Sequence, residues 1–243
     1  MLLDKTEGRR LINSCLSLVR QAIQRHEFLE KNSRVLVSVS GGIDSLVLLL
    51  LLLEYNLRFN QKWEIHACHI NPQFPEWRVE NLTKLFKKNT VPYTIVKINI
   101  NKKIKNVKKK CYPCARERRK KLLEVADKLG FFQIAFAHHK QDVAETILLN
   151  MIYNGEISTL VPKQSMIQGR FFFIRPLYYF DKQNIQAIAK IYNLPDISST
   201  CPYYEDSKRE MVRNFLEKIK EENPDVFKNI FRSIFHIKKT YMP

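Results

Sequence analysis

Hydrophobic and polar residues along this 243-residue chain follow two alternating rhythms. Over residues 6–30 apolar side chains recur at Leu11, Cys15, Leu18, Val19, Ala22 and Ile23. That three-and-four spacing gives a helix one apolar stripe, here with arginines opposite. The rhythm then changes to a short valine-rich run, Val35-Leu36-Val37-Ser38-Val39, which predicts a buried strand. The leucine-rich run from Leu46 to Leu53 is long enough to be a buried helix. The alternation continues, with strands predicted over residues 63–70, 93–98, 133–137 and 171–174. Helices are predicted over residues 76–88, 113–129, 142–153 and 181–192, and residues 206–239 read as mostly helical with a break near Pro224. Strands alternating with helices predict an α/β fold with a doubly wound, mostly parallel sheet. The layout is a basic amphipathic helix in residues 1–30, an α/β domain over 31–200, and a helical extension packed on it over 201–243. Ligands of such sheets lie beyond the C-terminal ends of the strands.

At the first such end stands Ser40-Gly41-Gly42-Ile43-Asp44-Ser45, between the valine strand and the leucine helix. Glycines there permit a tight turn and close approach of a ligand to the backbone. The first amides of the helix, aligned with its dipole, favour an anion. Ser40 and Ser45 add hydroxyl groups, and Asp44 is a carboxylate able to hold Mg²⁺ against the same phosphates. A Walker loop would need four residues between its glycines followed by Gly-Lys-Ser/Thr, which is not the pattern here.

Charge narrows the class of partner. The chain carries a net charge of +17, which favours a polyanion, either nucleic acid or an anionic membrane surface. Its longest apolar run is too short to span a bilayer, so no membrane anchor is expected. Residues 102–121 hold eleven lysines and arginines against the single acid Glu117. Such a run repels itself unless an anion neutralises it. Within it lies Cys111-Tyr112-Pro113-Cys114. Five cysteines with one Cys-x-x-Cys pair and no secretion signal suit a reducing cytoplasm, where thiols serve as metal ligands or catalysts. Cys15 and Cys68 fall on core positions, whereas Cys201 lies in a polar loop. Three cysteines leave one coordination position open, which suits a [4Fe–4S] cluster better than structural zinc. A redox pair and an incomplete zinc site are the competing readings of Cys111 and Cys114.

The order of motifs is more specific than any one of them. The glycine loop, the Cys-x-x-Cys with its arginines, Ala137-His138-His139-Lys140-Gln141-Asp142, Ile174-Arg175-Pro176-Leu177 and Cys201-Pro202-Tyr203 occur in that sequence. The loop resembles that of the ATP pyrophosphatases, and the whole series resembles the tRNA 2-thiocytidine synthetase family from about Arg34 to the C-terminal helices. The resemblance implies a tRNA sulfurtransferase that adenylates a base, releases pyrophosphate and exchanges oxygen for sulfur. It implies ATP and Mg²⁺ held by Ser38, Ser40, Gly41, Gly42, Asp44, Ser45, His69, Ala137, His138 and Asp142, with Asp44 as the Mg²⁺ ligand. Cys111, Cys114 and Cys201 would bind the [4Fe–4S] cluster. Asp44, Asp142 and Arg118 would be catalytic, and Lys108, Lys109, Lys110, Arg116 and Arg119 would meet tRNA. Implied partners are tRNA and a sulfur donor, either sulfide or a cysteine desulfurase, in the cytoplasm and with room for a homodimer. Both His138 and His139 read as groups that orient the nucleotide, and Arg175 as a residue that positions phosphate or satisfies a carboxylate. Two residues depart from the pattern. Ile43 stands where many of these enzymes have lysine, and Gln141 where they often have aspartate. With Asp142-Val143-Ala144-Glu145-Thr146, Ile43 also resembles the tRNA lysidine synthetases, which use the same ATP chemistry without a cluster. A small-molecule ATP pyrophosphatase and an RNA-binding or iron-sensing module without turnover are the remaining alternatives.

Overall fold

The computed structural model describes residues 5–74, 77, 79–104, 110–195 and 208–241. A six-stranded sheet of order β3-β2-β1-β4-β6-β5 forms its centre. The strands are β1 (Arg34–Ser38), β2 (Glu64–Asn71), β3 (Tyr93–Lys97), β4 (Gln133–Ala135), β5 (Lys163–Met166) and β6 (Phe171–Ile174). All neighbouring pairs are parallel except β5–β6, a hairpin at the sheet edge. The order reverses at β1, with β2 on one side and β4 on the other. A crevice opens at such a switch point.

The buried strands alternate between two apolar layers, as the period-two geometry of a strand requires. Val35 and Val37 of β1 face one cluster, together with α1 (Lys5–His26), α2 (Ile43–Arg58) and α7 (Lys182–Ile191). Leu36 of β1, Ile134 of β4 and Phe173 of β6 face the other, covered by α5 (Cys111–Leu129). Helix α1 is therefore built into the main core, with Cys15, Val19 and Ala22 fully buried. A third, smaller cluster joins Ala144 of α6 (Lys140–Asn154) to Val212 and Leu216 of α8 (Lys208–Glu222) and to Phe227 of α9 (Val226–Ser233).

The predicted strands and long helices are present, with local differences. Strand β5 carries no apolar alternation because it is an edge strand with only a partly covered face. Its turn into β6 places Ile167, Gln168 and Gly169 at positive φ. Helix α3 is described over Glu80–Lys88, and the short α4 spans Ile100–Lys103. Helix α5 begins at Cys111, so both thiols lie in its first turn. Among the described residues no helix is long and apolar enough to cross a membrane.

Candidate active site

The glycine loop joins β1 to α2 at the C-terminal edge of the sheet. Gly41 has φ of +102°, a backbone angle that a side chain would strain. Gly42 is the N-cap of α2 in an extended conformation, without a side-chain cap on the first amides. The serines hold the turn from within. Ser45 Oγ donates to the Gly42 carbonyl at 2.8 Å and accepts from the Ser40 amide at 3.1 Å. The Gly42 amide donates to Ser40 Oγ at 3.4 Å. Ser45 is 3 % exposed, so its hydroxyl shapes the cradle and the backbone supplies its donors.

Asp44 points from the first turn of α2 into the crevice. Both its oxygens accept from Lys182 Nζ of α7, at 2.6 and 2.8 Å. Burial raises the carboxyl pKa, but the neighbouring His139 imidazole and the Lys182 ammonium outweigh it. The group stays below the ordinary carboxylate range.

His139, the N-cap of α6, links this loop to the next. Its Nδ1 accepts from the Gln141 amide at 3.3 Å, which leaves the proton on Nε2. That atom lies 3.4 Å from Asp142 Oδ2 and 3.8 Å from Asp44 Oδ2. Asp142 completes the capping box by accepting from the His139 amide at 2.9 Å. Burial raises the Asp142 pKa, yet His139, His138, Arg209 and the His139 amide together bring it down to about 2. The ends of β1 and β4 thus hold two ionised carboxylates around one imidazole.

Two sequence expectations change in kind. His69 is fully buried, donates from Nδ1 to the Val39 carbonyl at 2.7 Å, and accepts at Nε2 from Trp77 Nε1 at 3.1 Å. Both ring nitrogens are engaged, so its side chain props the end of β1 and offers no atom to ATP. Arg175 is also buried, and its hydrogen bonds go to neutral acceptors and not to a carboxylate. Its Nε donates to His138 Nδ1 at 3.2 Å, and its other nitrogens donate to the Val161 carbonyl and to Gln164 Oε1. Its role is to fix His138, with a proton on Nε2. Burial above all pushes the His138 pKa down to about 3, so the imidazole is neutral. Arg118 turns inward, its guanidinium carbon 5.8 Å from the centre of the Trp77 ring. Through Trp77 and His69 it adjoins the end of β1.

Helix α8 supplies residues that the sequence motifs did not single out. Arg209 Nη1 lies 3.4 Å from Asp142 Oδ1, and its Nη2 donates to Thr146 Oγ1 at 3.2 Å. Arg213 pairs with Glu145 at 2.8 and 3.2 Å. Glu145 is 2 % exposed, so it anchors α8 to α6 and does not face the crevice. Lys182 was missed for a similar reason. It lies 138 positions from Asp44, and no local pattern announces such a pair.

The cysteine pair stands at the start of α5. Cys111 is exposed and Cys114 is buried in the second apolar layer. Cys201 lies outside the described residues, as do Lys108 and Lys109. Arg116 and Arg119 are exposed on the outer face of α5. With Lys120, Arg170, Leu123 and Phe171 they line an open groove of about 410 Å³. Lys110, the residue before α5, is half-buried.

Residues 14–219 match the PP-loop domain model. Two relatives named tRNA-cytidine(32) 2-sulfurtransferase come from Polynucleobacter asymbioticus and Nitrosospira multiformis. The first is 31 % identical over 97 % of this chain and 80 % of its own length, the second 32 % over 98 % and 82 %. This chain belongs to the tRNA 2-thiocytidine synthetase family of PP-loop proteins. The same name is carried by a Coxiella burnetii relative, 29 % identical over 96 % of this chain and 93 % of its own length. Among solved structures, the U34-tRNA thiolase NcsA of Methanococcus maripaludis with its [4Fe–4S] cluster superposes with a TM-score of 0.76. It is 24 % identical, covering 93 % of this chain and 78 % of its own. The NMN synthetase of Francisella tularensis shares the fold more distantly, with a TM-score of 0.54 at 13 % identity over 94 % of each chain. In this family's terms, Ser40 to Ser45 are the PP-loop itself.

Proposed function

We propose that this protein is an ATP-dependent tRNA sulfurtransferase that replaces the C2 oxygen of a cytidine, at position 32 of the tRNA as in the relatives' shared name. The observation that carries the reading is the gathering of Asp44, His139 and Asp142 around the uncapped start of α2. PP-loop amides and the α2 dipole bind the β- and γ-phosphates. Asp44 holds Mg²⁺ against them. The base carbonyl oxygen attacks the α-phosphorus, pyrophosphate leaves, and the base becomes an O-adenylate. Sulfur then adds at C2 and AMP departs with the former carbonyl oxygen. Neutral His138, with His139 beside it, orients donors at this crevice, and Arg118 stands at the α5 side of it as a cation for developing phosphate charge.

The residues present suit a [4Fe–4S] cluster. Two thiols one helical turn apart form one edge of a donor set at the positive end of the α5 dipole. Cys201 completes the set of three. When bound, the cluster supplies an iron without a protein ligand, where the transferred sulfur can be carried. Sulfide or a cysteine desulfurase furnishes that sulfur, in the reducing cytoplasm. Exposed Arg116 and Arg119 meet the tRNA backbone.

The test is anaerobic incubation of iron-reconstituted protein with unmodified tRNA, Mg·ATP and sulfide, followed by nucleoside mass analysis. 2-Thiocytidine and one pyrophosphate per thiolated base are expected. Cys111→Ala and Cys114→Ala should lose bound iron while retaining ATP binding, and Cys15→Ala should retain both. Pyrophosphate release with lysine incorporated in place of sulfur would overturn the proposal in favour of a lysidine-type ligase.

A further inference from the structure

The outer face of α5 carries Arg116 and, one turn on, Arg119 and Lys120, and Leu123 and Asp127 continue the same stripe. Like charges at that spacing repel and weaken a helix. None of the three cations forms an ion pair among the described residues, and the acids along the stripe are already held, Glu124 by Lys121 and Asp127 by Arg170. Such a stripe asks for an anion from outside. Across the open groove stands the turn between β5 and β6, with Ile167 and Arg170 on its wall.

The upper end of this groove adjoins the crevice. Burial lowers the Arg175 pKa to about 10 with help from the nearby Arg119 cation, and Arg175 in turn holds His138. The lower end lies at the opposite edge of the sheet. Helix α5 ends just before β4 begins, and Arg170 precedes β6, whose Phe172 pairs with Gln133 at the start of β4. From Arg116 to Asp127 the stripe runs about 16 Å, at 1.5 Å per residue. The floor decides what kind of nucleic acid fits. Phe171 is 2 % exposed and lies under Arg170, 5.6 Å from the guanidinium carbon. The groove therefore offers no open aromatic face for bases to stack on, the usual platform of a single strand. Double-stranded RNA is held instead by its phosphates and its shape.

In the proposed substrate, position 32 is the first unpaired nucleotide beyond one strand of the anticodon stem. With that base in the crevice, the stem has to leave along the protein surface, and this groove is a cation-lined way out. We infer that the groove between α5 and the β5–β6 turn seats the anticodon stem of the tRNA. Phosphates of one strand pass Arg119, Arg116 and Lys120, and Arg170 makes the far contact. Arg170 engages Asp127 through Nη2 alone, which leaves guanidinium donors for a phosphate oxygen. Ile167, 55 % exposed, is the apolar wall that meets the ribose edge of the duplex. The inference rests on tRNA being the substrate.

Two RNAs test it: an anticodon stem–loop with its full stem, and the same loop on a stem shortened to its innermost pairs and held closed by a cross-link. Fluorescence anisotropy measures the binding of both to the unaltered protein, Arg170→Gln, Arg170→Lys and Asp127→Asn over a range of salt. Arg170→Gln should weaken binding of the full stem about tenfold and flatten its salt slope by about one unit, yet leave the shortened RNA unaffected. Arg170→Lys should recover most of the loss, since a phosphate accepts from either cation. Asp127→Asn should bind the full stem as well as the unaltered protein or better, because Arg170 is released to the RNA. Equal loss on both RNAs, or no loss on either, overturns the inference. So does a loss in Asp127→Asn that copies Arg170→Gln, which would make the ion pair only a prop for the turn. If Arg170→Gln binds both RNAs normally but thiolates with free sulfide and not with a protein persulfide, the groove docks an acidic protein and the inference is likewise overturned. A melting curve for each variant reports folding, and Arg170→Ala serves if the glutamine variant does not fold. Failure of the unaltered protein to bind either RNA or whole tRNA would overturn the tRNA reading itself, and the inference with it.

Discussion

His69 gives the structure a pH response that can be worked out from two hydrogen bonds. Its Nδ1 proton is donated to Val39, and its Nε2 lone pair is occupied by Trp77. A proton added at Nε2 would face the indole N–H and place a charge in a fully buried ring. Desolvation accordingly lowers the His69 pKa from 6.5 to about 4, with a smaller contrary effect of the Val39 bond. Below pH 6.5 the unfolded chain takes up a proton at this position that the native protein refuses until about pH 4. Stability therefore falls as pH falls through that window. Between pH 6.5 and 5 the contribution is about 2 kcal/mol, from 1.4 kcal/mol per unit of pH. His138 and others act in the same direction, so the comparison must isolate one residue. His69→Gln offers an amide N–H to Val39 and an oxygen to Trp77 but does not titrate. Urea unfolding at pH 6.5, 5.75 and 5.0 should show the unaltered protein losing about 2 kcal/mol more than His69→Gln over this range. Equal losses in the two proteins would refute the argument.

Removing the guanidinium in Arg213→Met leaves the buried Glu145 carboxylate with Arg209 alone, 3.6 Å away, and should cost about 3 kcal/mol in chemical denaturation. Adding Glu145→Leu should restore most of that, and a double-mutant cycle measures the coupling. Asp44→Asn should abolish pyrophosphate release without lowering the melting temperature by more than a few degrees; full turnover in the folded variant would remove the carboxylate from the chemistry. Binding of tRNA should weaken steeply with salt, and replacing Arg116, Arg119 and Lys120 by glutamine should flatten the slope of log K against log salt by about one unit per lost phosphate contact. An unchanged slope would move the RNA to another face.

What the sequence made legible was what local pattern can encode. Valine and leucine runs gave strand and helix because their periods differ, and Ser40 to Ser45 marked the switch point because glycines and an acid between them have few other uses. The same logic failed at β5, where Lys163-Gln164-Ser165-Met166 pairs at an exposed edge and needs no apolar rhythm. It failed again at His69, whose position at a strand end is shared by ligands and props alike; only its two short hydrogen bonds separate them. Lys182, Arg209 and Arg213 were invisible for a third reason. Each acquires meaning from a carboxylate more than sixty residues away, so only the folded chain brings the charges together.

The grip of α8 on α6 has a consequence for the order of events during synthesis. Arg209 reaches Asp142, and α8 and α9 supply most of the third apolar cluster. A nascent chain that has exposed the PP-loop, His139 and Asp142 outside the ribosome still lacks this arginine. Its adenylation crevice therefore remains incomplete until Arg209 has emerged. Growing chains would in that way be kept from hydrolysing ATP to no purpose, and a product truncated before Lys208 would be silent rather than wasteful.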